Sequence, residues 1–315
     1  MPSPWRRPPS IRSLPSRFTS APTKAFAFTP GHSNQDVRIS GGWTGDNGQC
    51  LAKSSGSQSG TVLVGGASAQ ALNLDTGPGQ TGNKILVSDF ALHNPGYGQG
   101  GGTACLKMHI DGRNSLQVSR AQIAQCVATA SGINAVGAVN DGGTLTFDNS
   151  ALVDNIISIV PMYLGTVGGG TSTLSQLTIT GNMIDRNTAP TTGIYFQTGA
   201  GSANIVRNSV IWGNAALNTA PDLFLDNGLD LSHTHYDSSS GNAGSEVGHT
   251  SGDPGFLSPT NPRLRRNSIL VDSGVANVAS GTMDSDGTTR TQGAAIDVGA
   301  YERNPDELFV DGFDQ

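Results

Sequence analysis

A chain of 315 residues with 36% hydrophobic content is long enough to bury a sizeable core, and only 13% of it is charged. Its net charge of −6 conceals an asymmetry, because residues 1–35 hold five basic residues and no acid while the rest carries 13 basic against 24 acidic residues. Such an acidic body has no broad basic surface to meet phosphates, which argues against a nucleic-acid partner, and no apolar run approaches the roughly 18 residues of a membrane-spanning helix.

In chain order, residues 1–33 come first, with seven of the 16 prolines and no trace of the pattern found downstream. They also lack the continuous apolar stretch of a secretory signal. This segment is expected to be disordered or misassigned and to lie outside the packed part. A chain whose cap is encoded elsewhere, a truncated gene product, is one reading of that start.

From residue 85 a grammar recurs. LQVSRAQIAQC (116–126), LTFDNSALVDN (145–155), LTITGNMIDRN (177–187) and NIVRNSVIWGN (204–214) align without a gap, and ILVSDFALHNP (from Ile85) is a looser copy. Their starts lie 31, 29, 32 and 27 residues apart, a spacing typical of repeat architectures. Each copy has two alternating apolar positions, such as Leu145 and Phe147 or Leu177 and Ile179, whose side chains leave a strand on the same face. A turn follows, then another apolar residue (Ile123, Leu152, Ile184, Ile211). Between copies lies a third strand, as in ACLKMHI (104–110) or GIYFQ (193–197).

Three short strands per repeat describe one coil of a parallel β-helix, an all-β solenoid in which each strand pairs with its equivalent in the next coil. The predicted core is Leu145, Phe147, Leu152, Leu177, Ile179, Ile184, Val206 and Ile211. Asn155, Asn187 and Asn214 are expected to stack at a turn, their amides bonded along the column. A jelly roll or sandwich does not require a copy every 30 residues. Cys50, Cys105 and Cys126 allow one disulfide and leave one thiol, with no spacing suited to zinc.

Four C-terminal pieces, DPGF (253–256), RLRRNSILVDSG (263–274), DSDGTTR (284–290) and AIDVGAYE (295–302), closely resemble the end of bacterial right-handed parallel β-helix repeat proteins of the choice-of-anchor Q type. NQDVRISGGWTGDNGQC (34–50) and GTVLVGG (60–66) resemble the early coils of the same proteins. The resemblance implies a pectate-lyase-like, right-handed, single-stranded parallel β-helix, with coils over residues 34–252 and a C-terminal cap region over 253–304. It implies an extracellular or outer-surface location in a bacterium, though not lyase activity by itself. Residues 305–315 form a tail whose LFVDGFDQ is similar to short sorting or anchoring tails of secreted proteins.

The chemistry is sparse. A polysaccharide lyase would need acidic Ca²⁺ ligands and a basic residue near the sugar's acidic carbon. Counting outward from the aligned first strands places Gln117, Thr146, Thr178 and Ile205 in one row, and Ser119, Asp148, Thr180 and Arg207 in the other. Asp148 and Arg207, two coils and roughly 10 Å apart, are the candidate catalytic pair. One carboxylate and one guanidinium make no calcium cage, and no paired carboxylates of the glycosidase kind are visible. His233 and His235 in LSHTHYD alternate and would share a strand face with Asp237, the candidate metal set. DSDG departs from an EF-hand loop and reads as a local acidic turn paired with Arg290. Tyr97, Tyr163, Tyr195 and Trp212 would stack on sugar rings if exposed.

These readings favour a non-catalytic, secreted or surface β-helix that contacts a polysaccharide, cell-surface glycan or matrix and calls for no cofactor. The alternative is a carbohydrate-active enzyme of the lyase or hydrolase type, with Ca²⁺ if a lyase.

Overall fold

The computed structural model describes residues 10–13, 17–19, 26–44, 52–53, 60–187, 189–226, 228–258, 260–276 and 281–304. Among them there is no α-helix. Parallel strands stack into a β-solenoid with two long sheets. The first runs through Asp36–Ser40, Lys84–Tyr97, Ser115–Ala128, Thr144–Val153, Thr171–Thr180, Ala203–Arg207, Leu229–Ser232 and Ser245–Val247 in chain order. The second runs through Leu72–Asp75, Gly102–Asp111, Ile133–Asp141, Met162–Val167, Ile194–Thr198, Leu223–Phe224 and Ser239–Ser240. All eight predicted core side chains are buried at 0% exposure, in one cluster filling the interior of the coils.

Parts of the leading segment depart from expectation. Ser10–Ser13 pairs with Asp36–Ser40, Arg17–Thr19 with Val62–Val64, and Phe26–Phe28 with Leu72–Asp75, all parallel. These stretches therefore extend the sheets and do not stand apart from them. Cys105 and Cys126 form a disulfide inside the core, whereas Cys50 lies outside the described residues.

The corner after each first strand is turned by a single residue in the left-handed region. Asp89, Arg120, Asn149, Gln176, Asn208 and His233, at φ between 47 and 64°, stand above one another, one per coil. That residue reverses the in/out alternation, so inward Leu145 and Phe147 are followed by Ser150 and Leu152.

The same geometry corrects one copy of the repeat. Leu145 pairs with Ser172, Phe147 with Leu174 and Leu152 with Ile179. The coil copy is thus STLSQLTITGN (172–182), and LTITGNMIDRN is displaced by five residues: Leu177 and Ile179 belong to the second strand of their coil, after the corner at Gln176. The asparagine column shifts accordingly. Asn182 donates through Nδ2 to Asn214 Oδ1 (2.8 Å) and to the Leu152 carbonyl (3.0 Å), and accepts from Asn155 Nδ2 (2.8 Å). Asn187 is exposed and off the column. Cys126 occupies the column position of its own coil: Asn155 ties to it as the others do, accepting from the Cys126 N–H (2.9 Å) and donating to the Ile123 carbonyl (3.0 Å), while the Cys126 side chain is held by the disulfide to Cys105.

The C-terminal segment lies along the flank of the stack. Ala300 and Tyr301 pack on Ala124, Ala151 and Val153, while Phe256, Leu264, Leu270 and Val298 pack on Val210. Backbone ties fix it: Gly299 N–H donates to the Asn208 carbonyl (2.8 Å) and Ala300 N–H to Thr178 Oγ1 (2.9 Å).

The column gives a direct test. Asn182→Ala strands buried partners on both neighbouring coils and is expected to cost about 2–4 kcal/mol in urea unfolding, whereas Asn187→Ala is expected to fall within about 0.5 kcal/mol of wild type. Equal effects of the two substitutions would contradict the register.

Candidate functional site

Outward positions on the first sheet form two rows. One runs through Leu86, Gln117, Thr146, Thr173, Ile205 and Asp230, the other through Ser88, Ser119, Asp148, Ser175, Arg207 and Ser232. Thr178 and Thr180, expected in these rows, belong to the second strand and lie buried beneath the C-terminal segment.

Asp148 and Arg207 share a row with Ser175 between them, so the structure keeps the candidate pair two coils apart. Asp148 is 2% exposed and accepts from Gln117 Nε2 (2.7 Å), Asn149 Nδ2 (3.0 Å) and Ser119 Oγ. Burial pushes its carboxyl up, opposed by those donors and by the charge of Arg120. With three donors on its two oxygens and almost no exposed surface, this carboxylate is placed as a structural acceptor rather than one presented to a substrate. Next to it Arg120 clamps Asp89 through Nε (2.6 Å) and Nη2 (2.9 Å). Arg207 stands in a groove of about 400 Å³ bordered by Asp230, Ser232, Ser245 and Val275, and makes no ion pair among the described residues.

The candidate metal set does not converge. His233 occupies the left-handed corner (φ 50°), which ends the strand before His235, so the two do not share a strand face. His233 Nδ1 meets Ser232 Oγ at 2.9 Å. His235 is buried, with Nδ1 against Thr250 Oγ1 and Nε2 against the Gly252 carbonyl, each at 3.0 Å. Asp237 accepts from Trp212 Nε1 (3.0 Å) and the Gly252 N–H (2.7 Å). No cluster of three or more His, Cys, Asp or Glu suited to a metal occurs among the described residues.

The acidic turn is structural, and the charge of Arg290 acts on its Asp284, while the direct bonds of the turn go elsewhere. Asp284 Oδ1 accepts the N–H of Asp286 (3.0 Å) and Thr288 (2.8 Å), and Asp286 pairs with Arg263 (2.6 Å). The bonds of Arg290 reach the coils. Its Nε donates to Asn149 Oδ1 (3.0 Å), its Nη2 to the Gly299 and Ala300 carbonyls, and its Nη1 lies 3.3 Å from Glu302 Oε2. Asp284, Asp297 and Glu302, all buried, share this one guanidinium. Desolvation, reinforced by Asp297, therefore pushes Glu302 up to about 7, against the pull of Arg290.

Aromatic side chains gather on the outer face of the second sheet. Tyr163, Tyr195 and Phe224 occupy one row on successive coils, half-buried, with ring centroids 6.1 and 4.8 Å apart and planes within 18° of parallel. Tyr163 leans over Gly165, where a Cβ would sit 3.1 Å from its hydroxyl oxygen, and that hydroxyl donates to Gln197 (2.6 Å). Val139, 41% exposed, pairs with Gly165 on the adjacent coil and extends the patch. Tyr97 is buried, and Trp212 packs against Phe256 of the C-terminal segment. Phe224 was missed in the sequence, although it lies one repeat beyond Tyr195; laying the third strands in register reveals it.

No family model matches the chain, and no curated protein matches it. Among solved structures it is similar to pectate lyase Pel9A, at 13% identity over 94% of this chain and 86% of that one, with a TM-score of 0.31. What the coils themselves define is a parallel β-helix.

The buried acid cluster makes stability depend on pH. Because the folded-state pKa of Glu302 is raised from 4.5 to about 7, the folded protein holds a proton that the unfolded chain releases, so this contribution is complete below pH 4.5 and lost as pH rises through 7. His235 acts oppositely, since burial lowers its pKa and its contribution is lost as pH falls. The test is therefore a difference: relative to Glu302→Gln, wild type is expected to lose on the order of 2 kcal/mol between pH 5 and pH 8 in denaturant titrations. Parallel pH profiles would show that Glu302 is ionised throughout.

Proposed function

We propose that this chain is a secreted or cell-surface β-helix of the choice-of-anchor Q kind that contacts glycan or matrix through its outer face without cleaving it. The row Tyr163–Tyr195–Phe224 carries this reading. Half-buried stacked rings edged by an amide and a hydroxyl offer apolar area together with hydrogen-bonding groups at small cost in side-chain entropy. Its repeat along the coil axis suits a chain-like partner. The sequestration of Asp148 and its distance from Arg207 support a non-catalytic role. A core disulfide, Cys105–Cys126, suits an oxidising compartment outside the cytosol.

One observation favours the lyase reading: Arg207 is a cation with no ion pair among the described residues, in a groove that also holds Asp230.

Both readings meet in one experiment with immobilised neutral and acidic polysaccharides. Wild type is expected to be retained, with Tyr195→Ala and Phe224→Ala each weakening retention about tenfold or more, and to release no unsaturated products or new reducing ends with or without Ca²⁺. Cleavage that Arg207→Ala abolishes while the fold stays intact would overturn the proposal.

A further inference from the structure

A pocket of about 370 Å³ opens between the second corner of two successive coils and the C-terminal segment. Its coil side is Thr180, Gly181, Trp212 and Gly213, and the segment contributes Asp253 and Arg265. The volume lies at the lower end of the roughly 300–1,000 Å³ of small-ligand sites.

The glycines are informative. This second corner is left-handed in four successive coils, at Gln125 (φ 55°), Asp154 (φ 54°), Gly181 (φ 67°) and Gly213 (φ 66°). Gln125 and Asp154 show that the corner tolerates a side chain, so the backbone alone does not require glycine at 181 and 213. What glycine adds there is room. A Cβ on Gly213 would meet Thr180 Oγ1 at 3.4 Å, an ordinary contact, and nothing else within 4 Å.

The walls carry complementary groups. Trp212 is held by its indole N–H on Asp237 (3.0 Å) and by a near-perpendicular contact with Phe256, centroids 6.0 Å apart, which fixes the ring at the pocket wall. Arg265 is exposed, and among the described residues its guanidinium makes one long bond, 3.4 Å to the Leu257 carbonyl. Asp253 commits Oδ1 to the Gly255 N–H (2.8 Å) and keeps Oδ2 as an acceptor.

We propose that this pocket binds one uncharged pyranose unit of a glycan, its C–H face against Trp212, its hydroxyls donating to Asp253 and accepting from Arg265. One carboxylate and one guanidinium balance, which suits a ligand that is neutral and bears both donors and acceptors. The net charge of −6 also disfavours a polyanion. The ligand class rests on the glycan-contact reading, but the residues are not those of the aromatic row, so polymer retention and pocket binding fail independently.

The test titrates the full chain with neutral methyl pyranosides of gluco, galacto, manno and N-acetylglucosamine configuration, and with methyl glucuronide, following the indole N–H resonance of Trp212 assigned by Trp212→Phe. At least one neutral glycoside is expected to shift that resonance saturably. Gly213→Asn places a side chain in the pocket at a backbone angle that Asn149 and Asn208 adopt elsewhere in the coils. It is expected to weaken binding at least about tenfold in a chain that still folds, with a midpoint lowered by the left-handed angle, and Arg265→Ala, at an exposed position, to weaken binding as much with an unchanged midpoint. The proposal is overturned if no neutral glycoside shifts the resonance, if the glucuronide binds more tightly than every neutral sugar, or if Gly213→Asn binds like wild type.

Discussion

Each coil turns its first corner through one residue in the left-handed region, and the rest of the molecule depends on that corner. A non-glycine residue there costs on the order of 1–3 kcal/mol. The column nonetheless holds Asp89, Arg120, Asn149 and Asn208, because their side chains hold the structure together. Arg120 clamps Asp89, Asn149 receives Arg290, and Asn208 both donates to and accepts from the backbone of Val275 (2.8 and 3.0 Å). Glycine at 149 and 208 would fit the backbone and remove these side-chain ties to the C-terminal segment.

That segment in turn decides which surfaces remain available. By covering Ala124, Ala151, Val153 and Val210 it buries the outer face of the second strands, which would otherwise expose an apolar stripe. Two faces stay open. One carries Gln117, Thr146, Thr173 and Arg207, the other the aromatic row, and the functional reading rests on the second. The acid cluster around Arg290 belongs to the anchor; its raised carboxyls mark a structural seam, a reminder that perturbed titration alone does not identify a catalytic centre.

Much of the fold was legible because alternation and a 30-residue spacing are direct consequences of coil stacking. The core residues and the third strands follow from it. The error in one coil has a physical cause: TSTLSQLTIT alternates almost without interruption, and the corner at Gln176, which reverses the parity, carries no glycine or asparagine to announce it. His233 hid its corner the same way and made His233 and His235 look like neighbours on one face. The site was less legible. Asn149 and Arg290 are 141 residues apart, and no local pattern announces their contact. The pairing of Ser10–Ser13 was equally hidden, since a proline-rich segment lacking the repeat carries no coil signature.

The central claim is the stacking register, and thiol cross-linking tests it most directly. Thr146 and Thr173 are partners on adjacent coils. The spacing of roughly 4.8 Å between such strands is within reach of a disulfide. Thr146→Cys with Thr173→Cys is therefore expected to cross-link rapidly under mild oxidation, with the bridge located by peptide mass mapping, and Thr146→Cys with Thr178→Cys to remain reduced. Rapid bridging of 146 to 178, with 146 and 173 unlinked, would contradict the register and with it the placement of every outward-facing residue.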